Sequence, residues 1–240
     1  MRAVITFHAI GQDASPLSYP AKMLDAMLSR FRQDGLPVVT LDALLTPGAD
    51  RGVALTFDDG MASLHDEALP ILKRHNAPAH LFLTTGAVGG DNHWYGQPAG
   101  APRYPMLGWD QIETLHRNGV RIEAHTASHP DLRKLTPAQM EAEMGQADAL
   151  IERRLGRTPA FFAYPYGHHD ATVRAAASRR YAASFTTELA VLGPNDAPER
   201  LPRLDSHYLR SPALLKRIEG APVGLYFKLR YLLRAIRGTQ

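Results

Sequence analysis

Short apolar runs alternate along the chain with longer segments in which apolar residues recur at helical spacing. Short apolar runs are typical of buried strands, and amphipathic segments are typical of helices that pack on a sheet. The predicted strands are residues 2–7, 37–41, 53–57, 79–84, 120–124, 160–164, 183–186 and 200–204. The predicted helices are residues 19–34, 61–75, 110–118, 137–155, 170–180 and 211–219.

This alternation predicts a single α/β domain with parallel strands joined by helical crossovers. The number of units favours a distorted, TIM-like barrel, with an open doubly wound sheet as the alternative. No glycine-rich phosphate loop follows the first strand, which disfavours a nucleotide-binding version. Residues 87–108 are rich in Gly, Pro and aromatics and show no period. Because so long a loop is often functional, we expect it to reach the substrate site, with Trp94 as a candidate contact.

The composition of the 240-residue chain, 45% hydrophobic and 21% charged, is typical of a globular domain. Cysteine is absent, so disulfides and thiolate metal sites are excluded, and any metal must use His and carboxylate ligands. A net charge of +3 does not indicate nucleic-acid binding. Residues 1–8 lack the pattern of a signal peptide, and no apolar run is long enough to span a membrane. We therefore expect a cytoplasmic protein.

Two adjacent carboxylates, Asp58 and Asp59, end the apolar run at 53–57, and two imidazoles, His125 and His129, lie four residues apart. A helical turn would bring both histidines to one ion. One carboxylate and two histidines form a three-ligand site for a divalent metal with open positions. The other carboxylate is left to act as a base for water. The alternatives are an Asp-Gly turn and a chance His spacing; together the residues predict metal-assisted hydrolysis.

A third segment, residues 161–167 (FFAYPYG), is a predicted strand ended by Pro and Gly. It is either a plain strand terminus with a turn or a rigid rim whose backbone N–H stabilises an oxyanion.

Three sequences resemble the motifs of the polysaccharide deacetylase family, also called the NodB-homology or carbohydrate esterase 4 family. They are TFDDG at 56–60, HTASH at 125–129 and FAYPYG at 162–167. Residues 107–110 and 201–203 add smaller likenesses, so the resemblance runs through most of the chain. It implies a distorted (β/α)7 barrel and N-deacetylation of an acetylated amino sugar.

The resemblance also implies residue roles. Asp58 would be the general base, and the Tyr166 backbone N–H would help to hold the oxyanion. The metal ligands would be Asp59, His125 and His129, with zinc as the expected ion and cobalt or nickel as alternatives. Candidate substrate-binding residues are Tyr164, Pro165, Gly167, His8 and Trp94.

The sequence departs from the family pattern at two points. Ala163 stands where many members carry an Arg that orients the catalytic Asp, and Arg203 is our candidate replacement from a neighbouring strand. The last motif, which usually offers a His as general acid, has no clean match; His207 is the best candidate by order along the chain.

The FAYPYG variant resembles the branch of the family that acts in exopolysaccharide or cell-surface glycan synthesis. That resemblance implies a GlcNAc- or GalNAc-like unit of a growing glycan or lipid-linked precursor rather than chitin or peptidoglycan. Two alternatives are a deacylase or deformylase of another amide, and a catalytically impaired glycan-binding homologue. A carbohydrate is the expected partner, and no oligomeric state is predicted.

The C-terminal segment is apolar and basic, with Arg230, Arg234 and Arg237 on one helical face. We expect a catalytic domain over residues 1–222 followed by a basic amphipathic helix over 223–240. That helix either closes the barrel or lies on an anionic membrane, which would make the protein peripheral at the inner face.

Overall fold

The computed structural model describes residues 1–94, 97, 100–215, 218, 220, 226, 227 and 230. The strands are β1 Arg2–Phe7, β2 Ala9–Ile10, β3 Ser18–Tyr19, β4 Gly52–Asp59, β5 Ala79–Leu83, β6 Val120–Ala124, β7 Phe161–Ala163, β8 Ala183–Phe185 and β9 Leu204–Asp205. The helices are α1 Ala21–Gln33, α2 Leu41–Leu45, α3 Leu69–His75, α4 Trp109–Arg117, α5 Pro137–Leu155, α6 Ala171–Ser178 and α7 Pro212–Leu215.

Seven strands form one parallel sheet in the order β8-β7-β6-β5-β4-β1-β9. A parallel bridge between Phe185 and Leu201 also joins the β8 edge to the segment that leads into β9. The strand order therefore runs in a ring, and the sheet curls into a distorted barrel. The predicted α/β barrel class is confirmed.

Alternate side chains of the strands pack on opposite faces of the sheet. Val4, Ala54, Phe82 and Phe185, from four different strands, pack in one buried cluster inside the curled sheet. The sequence neighbours of Val4, Ala54 and Phe82 pack in a second cluster with the outer helices. Because successive strand residues alternate between faces, both faces of the sheet are apolar and the barrel interior is filled. The chemistry is consequently confined to the ends of the strands.

Most predicted elements lie within a few residues of the observed ones, and two match without change. These are the strand at 120–124 and the helix at 137–155, where Thr136 accepts a hydrogen bond from the Gln139 N–H at 3.3 Å. The predicted strand at 37–41 is wrong. Only Val38 forms a bridge, and helix α2 begins directly after Thr40, which accepts from the Ala43 N–H.

The predicted strand at 200–204 is also shorter and later than expected, since β9 covers two residues and Leu201 forms only a single bridge. The predicted helix at 211–219 is described over Pro212–Leu215.

The predicted helix over 223–240 lies mostly outside the described residues. Within it, Phe227 is buried against the main core, and the Arg230 Nε donates to the Tyr226 hydroxyl at 3.1 Å. None of the helices in the described ranges has the length and apolar character that crossing a bilayer requires. The boundary at residue 222 stays a prediction.

Candidate active site

The candidate residues meet at one end of the barrel, where parallel strands place their carboxyl termini. Asp58 and Asp59 end β4, His125 follows β6, and all three are buried. Loops at this end of a barrel carry the chemistry, since the strands beneath hold them rigidly.

Three side chains converge on a common point. The Asp59 Oδ1 lies 3.3 Å from the His125 Nε2 and 3.5 Å from the His129 Nε2. The His125 Nδ1 donates to the Ala163 carbonyl at 2.7 Å, which leaves its Nε2 lone pair facing Asp59. The Asp59 Oδ1 is buried and has no hydrogen-bond partner among the described residues. A buried, unpaired carboxylate oxygen between two imidazole nitrogens fits a divalent cation.

The two histidines reach this point from a loop rather than from the helical turn that we predicted. Thr126 and His129 adopt left-handed backbone angles, with φ of 68° and 58°. The His129 N–H donates to the Thr126 Oγ1 at 3.0 Å, which closes the loop. The i, i+4 spacing therefore indicated that the two histidines meet, but a loop rather than a helical turn brings them together.

His129 is packed between two aromatic rings. The Trp94 ring lies 4.3 Å from the His129 ring centroid, and the Tyr166 ring lies edge-on at 4.5 Å. Trp94 therefore lies beside the triad, and its predicted contact with substrate stays a prediction. The loop over 87–108 thus reaches the ligand triad through Trp94.

Burial and mutual charge set the protonation of the triad. Burial works to raise the pKa of Asp59, but the two histidines outweigh it and hold the pKa below its usual range. Burial lowers the pKa of His129 to about 3. Burial also opposes charge on His125, yet the carboxylates of Asp59 and Asp58 outweigh it and raise its pKa. His129 is thus neutral and ready to ligate.

Asp58 is held by the guanidinium of Arg203. The Arg203 Nη1 and Nη2 donate to the two Asp58 carboxylate oxygens at 2.8 and 2.7 Å, and the Nε donates to the Thr186 carbonyl at 3.1 Å. Arg203 is only 2% exposed. Burial works to raise the pKa of Asp58, but Arg203 outweighs it and keeps the pKa low. The contact that we predicted between Arg203 and Asp58 is present, and it keeps the carboxylate ionised.

Two histidines follow neighbouring strands at this end of the barrel. β1 and β9 pair with Thr6 opposite Asp205, so His8 and His207 each lie two residues beyond that pair. A charge on His8 adds to the larger effects of Arg203 on Asp58 and of the two histidine ligands on Asp59, which lower the pKa of these carboxylates. The His207 ring packs edge-on against Tyr208, with 5.2 Å between ring centroids. Because Phe7 pairs with Phe57, His8 follows β1 beside Asp58.

The segment after β7 forms a tight turn beside the triad. Tyr166 and Gly167 have φ of 59° and 70°, and Pro165 is buried. This turn brings the Tyr166 ring to His129, as a rim residue requires. The structure corrects the prediction that Tyr164 binds substrate. Its side chain is buried among the residues that pack on α5 and α6, and its hydroxyl donates to the Glu199 carbonyl at 2.8 Å. Tyr164 therefore packs in the core and does not contact substrate.

Sequence reasoning missed Glu143 on α5. Its carboxylate accepts three hydrogen bonds from the loop that carries the histidines. Glu143 lies within a helix and outside every motif, so no local pattern singles it out.

A sequence model of the polysaccharide deacetylase family matches residues 46–182, more than half of the chain. YxkH of Bacillus subtilis, assigned by name to the polysaccharide deacetylases, is 27% identical over 192 residues, covering 77% of this chain and 64% of that protein. The poly-β-1,6-N-acetyl-D-glucosamine N-deacetylase of Staphylococcus epidermidis is 25% identical over 164 residues, 64% of this chain and 54% of that protein. The alignments therefore span between about half and two thirds of these curated relatives.

Among solved structures, IcaB from Ammonifex degensii superposes with a TM-score of 0.74 at 25% identity. The match covers 92% of this chain and 96% of that chain. The likeness thus extends over the whole barrel.

Proposed function

Since the chain belongs to the polysaccharide deacetylase family, we propose that it is a metal-dependent hydrolase that removes N-acetyl groups from an amino-sugar glycan. The observation that carries the proposal is the buried Asp59–His125–His129 triad beside an Asp58 that is paired with Arg203. The triad offers three ligands for a metal, and the second carboxylate offers a base.

Asp58 supplies the base. Arg203 keeps its carboxylate ionised, so Asp58 accepts a proton from the attacking water as the new C–O bond forms at the acetyl carbonyl. A bidentate guanidinium also fixes the plane of the carboxylate. The buried pair therefore keeps the base charged and fixes the orientation of its carboxylate.

Asp59, His125 and His129 would hold the divalent metal, with zinc as the expected ion. When bound, such a metal polarises the acetyl carbonyl and acidifies water. The turn at Tyr166 offers a backbone N–H to the oxyanion that develops as the carbonyl carbon becomes tetrahedral. The ring of Tyr166 meanwhile packs against His129 and excludes water from that side.

Cleavage of the C–N bond requires an acid for the leaving amine. We assign this role to His8, because Phe7 pairs with Phe57 and His8 therefore follows β1 beside Asp58, with His207 as the alternative. Both follow strands that end at the same end of the barrel. The products are acetate and a free amino sugar.

The relatives support a proposal for the substrate class. The similarity to a deacetylase named for poly-β-1,6-linked N-acetylglucosamine favours a GlcNAc-like unit of an exopolysaccharide. The cytoplasmic location and peripheral membrane contact through residues 223–240 stay predictions. A glycan-binding role without catalysis is disfavoured, because binding alone has no use for a buried, charge-paired Asp58.

The test is acetate release from a β-1,6-linked GlcNAc oligomer, with a β-1,4-linked oligomer and an N-formyl analogue in parallel. Acetate release that chelation abolishes and zinc restores supports the proposal. Formate release alone would favour the deformylase alternative. No release by a zinc-loaded protein from any of these substrates would contradict the proposal.

Asp58→Asn and Asp59→Asn separate the two carboxylates. Asp58→Asn is expected to abolish turnover while metal stays bound, since the ligands are intact. Asp59→Asn is expected to weaken metal binding itself, measured by metal content after dialysis. Equal metal loss in both variants would contradict the assignment.

A further inference from the structure

The loop over 125–129 carries two of the three proposed metal ligands and is held from outside by groups that do not touch the site. We propose that Glu143 is a positioning residue for the metal: by hydrogen bonding to this loop, it keeps His129 in ligand geometry. The inference rests on the proposed metal-dependent function.

The Glu143 carboxylate accepts hydrogen bonds from two loop residues, Ala127 and Ser128. The Glu143 Oε2 accepts from the Ala127 N–H at 3.1 Å and from the Ser128 N–H at 2.9 Å. The Glu143 Oε1 accepts from the Ser128 hydroxyl at 2.7 Å. Hydrogen bonds to a charged acceptor are stronger than neutral ones, so this contact is a firm tie between α5 and the loop.

The opposite side of the loop is fixed by the backbone that follows β5. The Gly86 N–H donates to the Ala127 carbonyl at 2.7 Å, and the Thr85 N–H donates to the Thr126 carbonyl at 3.3 Å. A Cβ on Gly86 would come within 2.6 Å of the Ala127 carbonyl oxygen, so the approach requires glycine. Glu143 and the Gly86 backbone therefore clamp the loop from two sides.

The clamp matters because the loop is strained. Thr126 and His129 are left-handed, a conformation that costs roughly 1–2 kcal/mol for each non-glycine residue. His125 is fixed independently through its bond to the Ala163 carbonyl. His129 has no such bond from its Nδ1 to any described residue, so its position depends on the loop backbone and on ring packing. Releasing the clamp should displace His129 first.

The experiment is a zinc titration of the full chain in competition with a chromogenic chelator. Glu143→Ala removes all three side-chain hydrogen bonds and leaves the bond from the Ala127 N–H to the Glu143 main-chain carbonyl at 3.1 Å. It is expected to weaken zinc binding by about 10–100-fold, as for other residues that orient ligands. Glu143→Gln can keep all three, since its oxygen accepts both N–H groups and its amide donates to the Ser128 hydroxyl. Its zinc affinity should stay close to that of the wild type.

Glu141→Gln is the matched control. Glu141 lies on the same helix, pairs with Arg179 and Arg180, and makes no described hydrogen bond to the loop. Its zinc affinity should be unchanged. At saturating zinc, Glu143→Ala should regain most of its deacetylase activity, because the Asp58–Arg203 pair is untouched; a general loss of fold would not be rescued in this way.

Wild-type zinc affinity in Glu143→Ala would overturn the inference, and so would an equal loss in Glu143→Gln, which would point to charge rather than hydrogen bonding. If Glu143→Ala does not fold, Ser128→Ala removes one bond, and unchanged zinc affinity there would also overturn it. A wild-type protein with no affinity for zinc, cobalt or nickel would instead overturn the proposed metal-dependent function.

Discussion

Replacing Arg203 by Met removes the guanidinium that holds Asp58 and keeps a side chain of similar length. The carboxylate then remains buried without either of its two hydrogen bonds, at 2.7 and 2.8 Å, or its neighbouring positive charge. Breaking a buried ion pair on one side typically costs about 3–5 kcal/mol. We expect a loss of unfolding free energy in that range, measured by urea denaturation at neutral pH.

The loss depends on pH in a defined direction. In the wild type, the pKa of Asp58 is depressed, so the pair stabilises the fold above the unfolded pKa and the contribution disappears as pH falls through the folded pKa. In the variant, burial without Arg203 raises the pKa of Asp58. The stability deficit is therefore largest at neutral pH and shrinks towards acid pH.

The same shift should appear in catalysis. An arginine next to an aspartate lowers the pKa of that aspartate by about 1–3 units. In Arg203→Met, the acid limb of the kcat/KM profile should therefore move to higher pH by a similar amount. Arg203→Lys keeps a positive charge, so its acid limb should lie between those of the wild type and Arg203→Met. Arg157→Met, which removes a guanidinium from the buried Glu123, is the control for stability and should leave the acid limb in place. An unchanged acid limb in Arg203→Met would refute the reasoning.

Three further predictions concern the rest of the site. His8→Ala should lower kcat by about 10²-fold or more, with a smaller effect for His207→Ala; the reverse order, measured on acetate release, would move the acid to His207. Gly167→Ala should destabilise the fold by about 1–2 kcal/mol or more and reduce kcat, because the left-handed φ disfavours alanine and a Cβ would collide with Thr187; a wild-type melting temperature would contradict this. Deleting residues 223–240 should reduce sedimentation with anionic liposomes if that segment lies on membranes; unchanged sedimentation would rule out the membrane role.

Local signals predicted much of the fold, and long-range contacts account for what failed. The helix at 137–155 was predicted in full because Thr136 and Pro137 mark its start. The apolar run at 37–41 was mistaken for a strand. There, the Leu41 N–H donates to the Nε2 of the buried His80 at 2.9 Å, a contact with a residue 39 positions away that supports the start of α2.

In the candidate site, too, short-range patterns were predictable from the sequence and contacts between distant residues were not. The motif residues were found from short-range patterns, whereas the Arg203–Asp58 pair joins residues 145 positions apart and was only a hypothesis. Tyr164 was an avoidable error. Strand alternation places it on the face of Phe162, towards the outer helices, while Ala163 faces the barrel interior.

Of the five left-handed non-glycine residues in the described ranges, four lie at or beside the proposed metal site: Asp59, Thr126, His129 and Tyr166. The fifth, Asn76, merely ends a helix. The site thus carries a conformational cost of several kcal/mol at these positions, and glycine at each would be the obvious stabilising replacement. Selection for heat resistance alone would therefore favour changes at these four positions that erode activity, so libraries built to improve stability should hold them fixed.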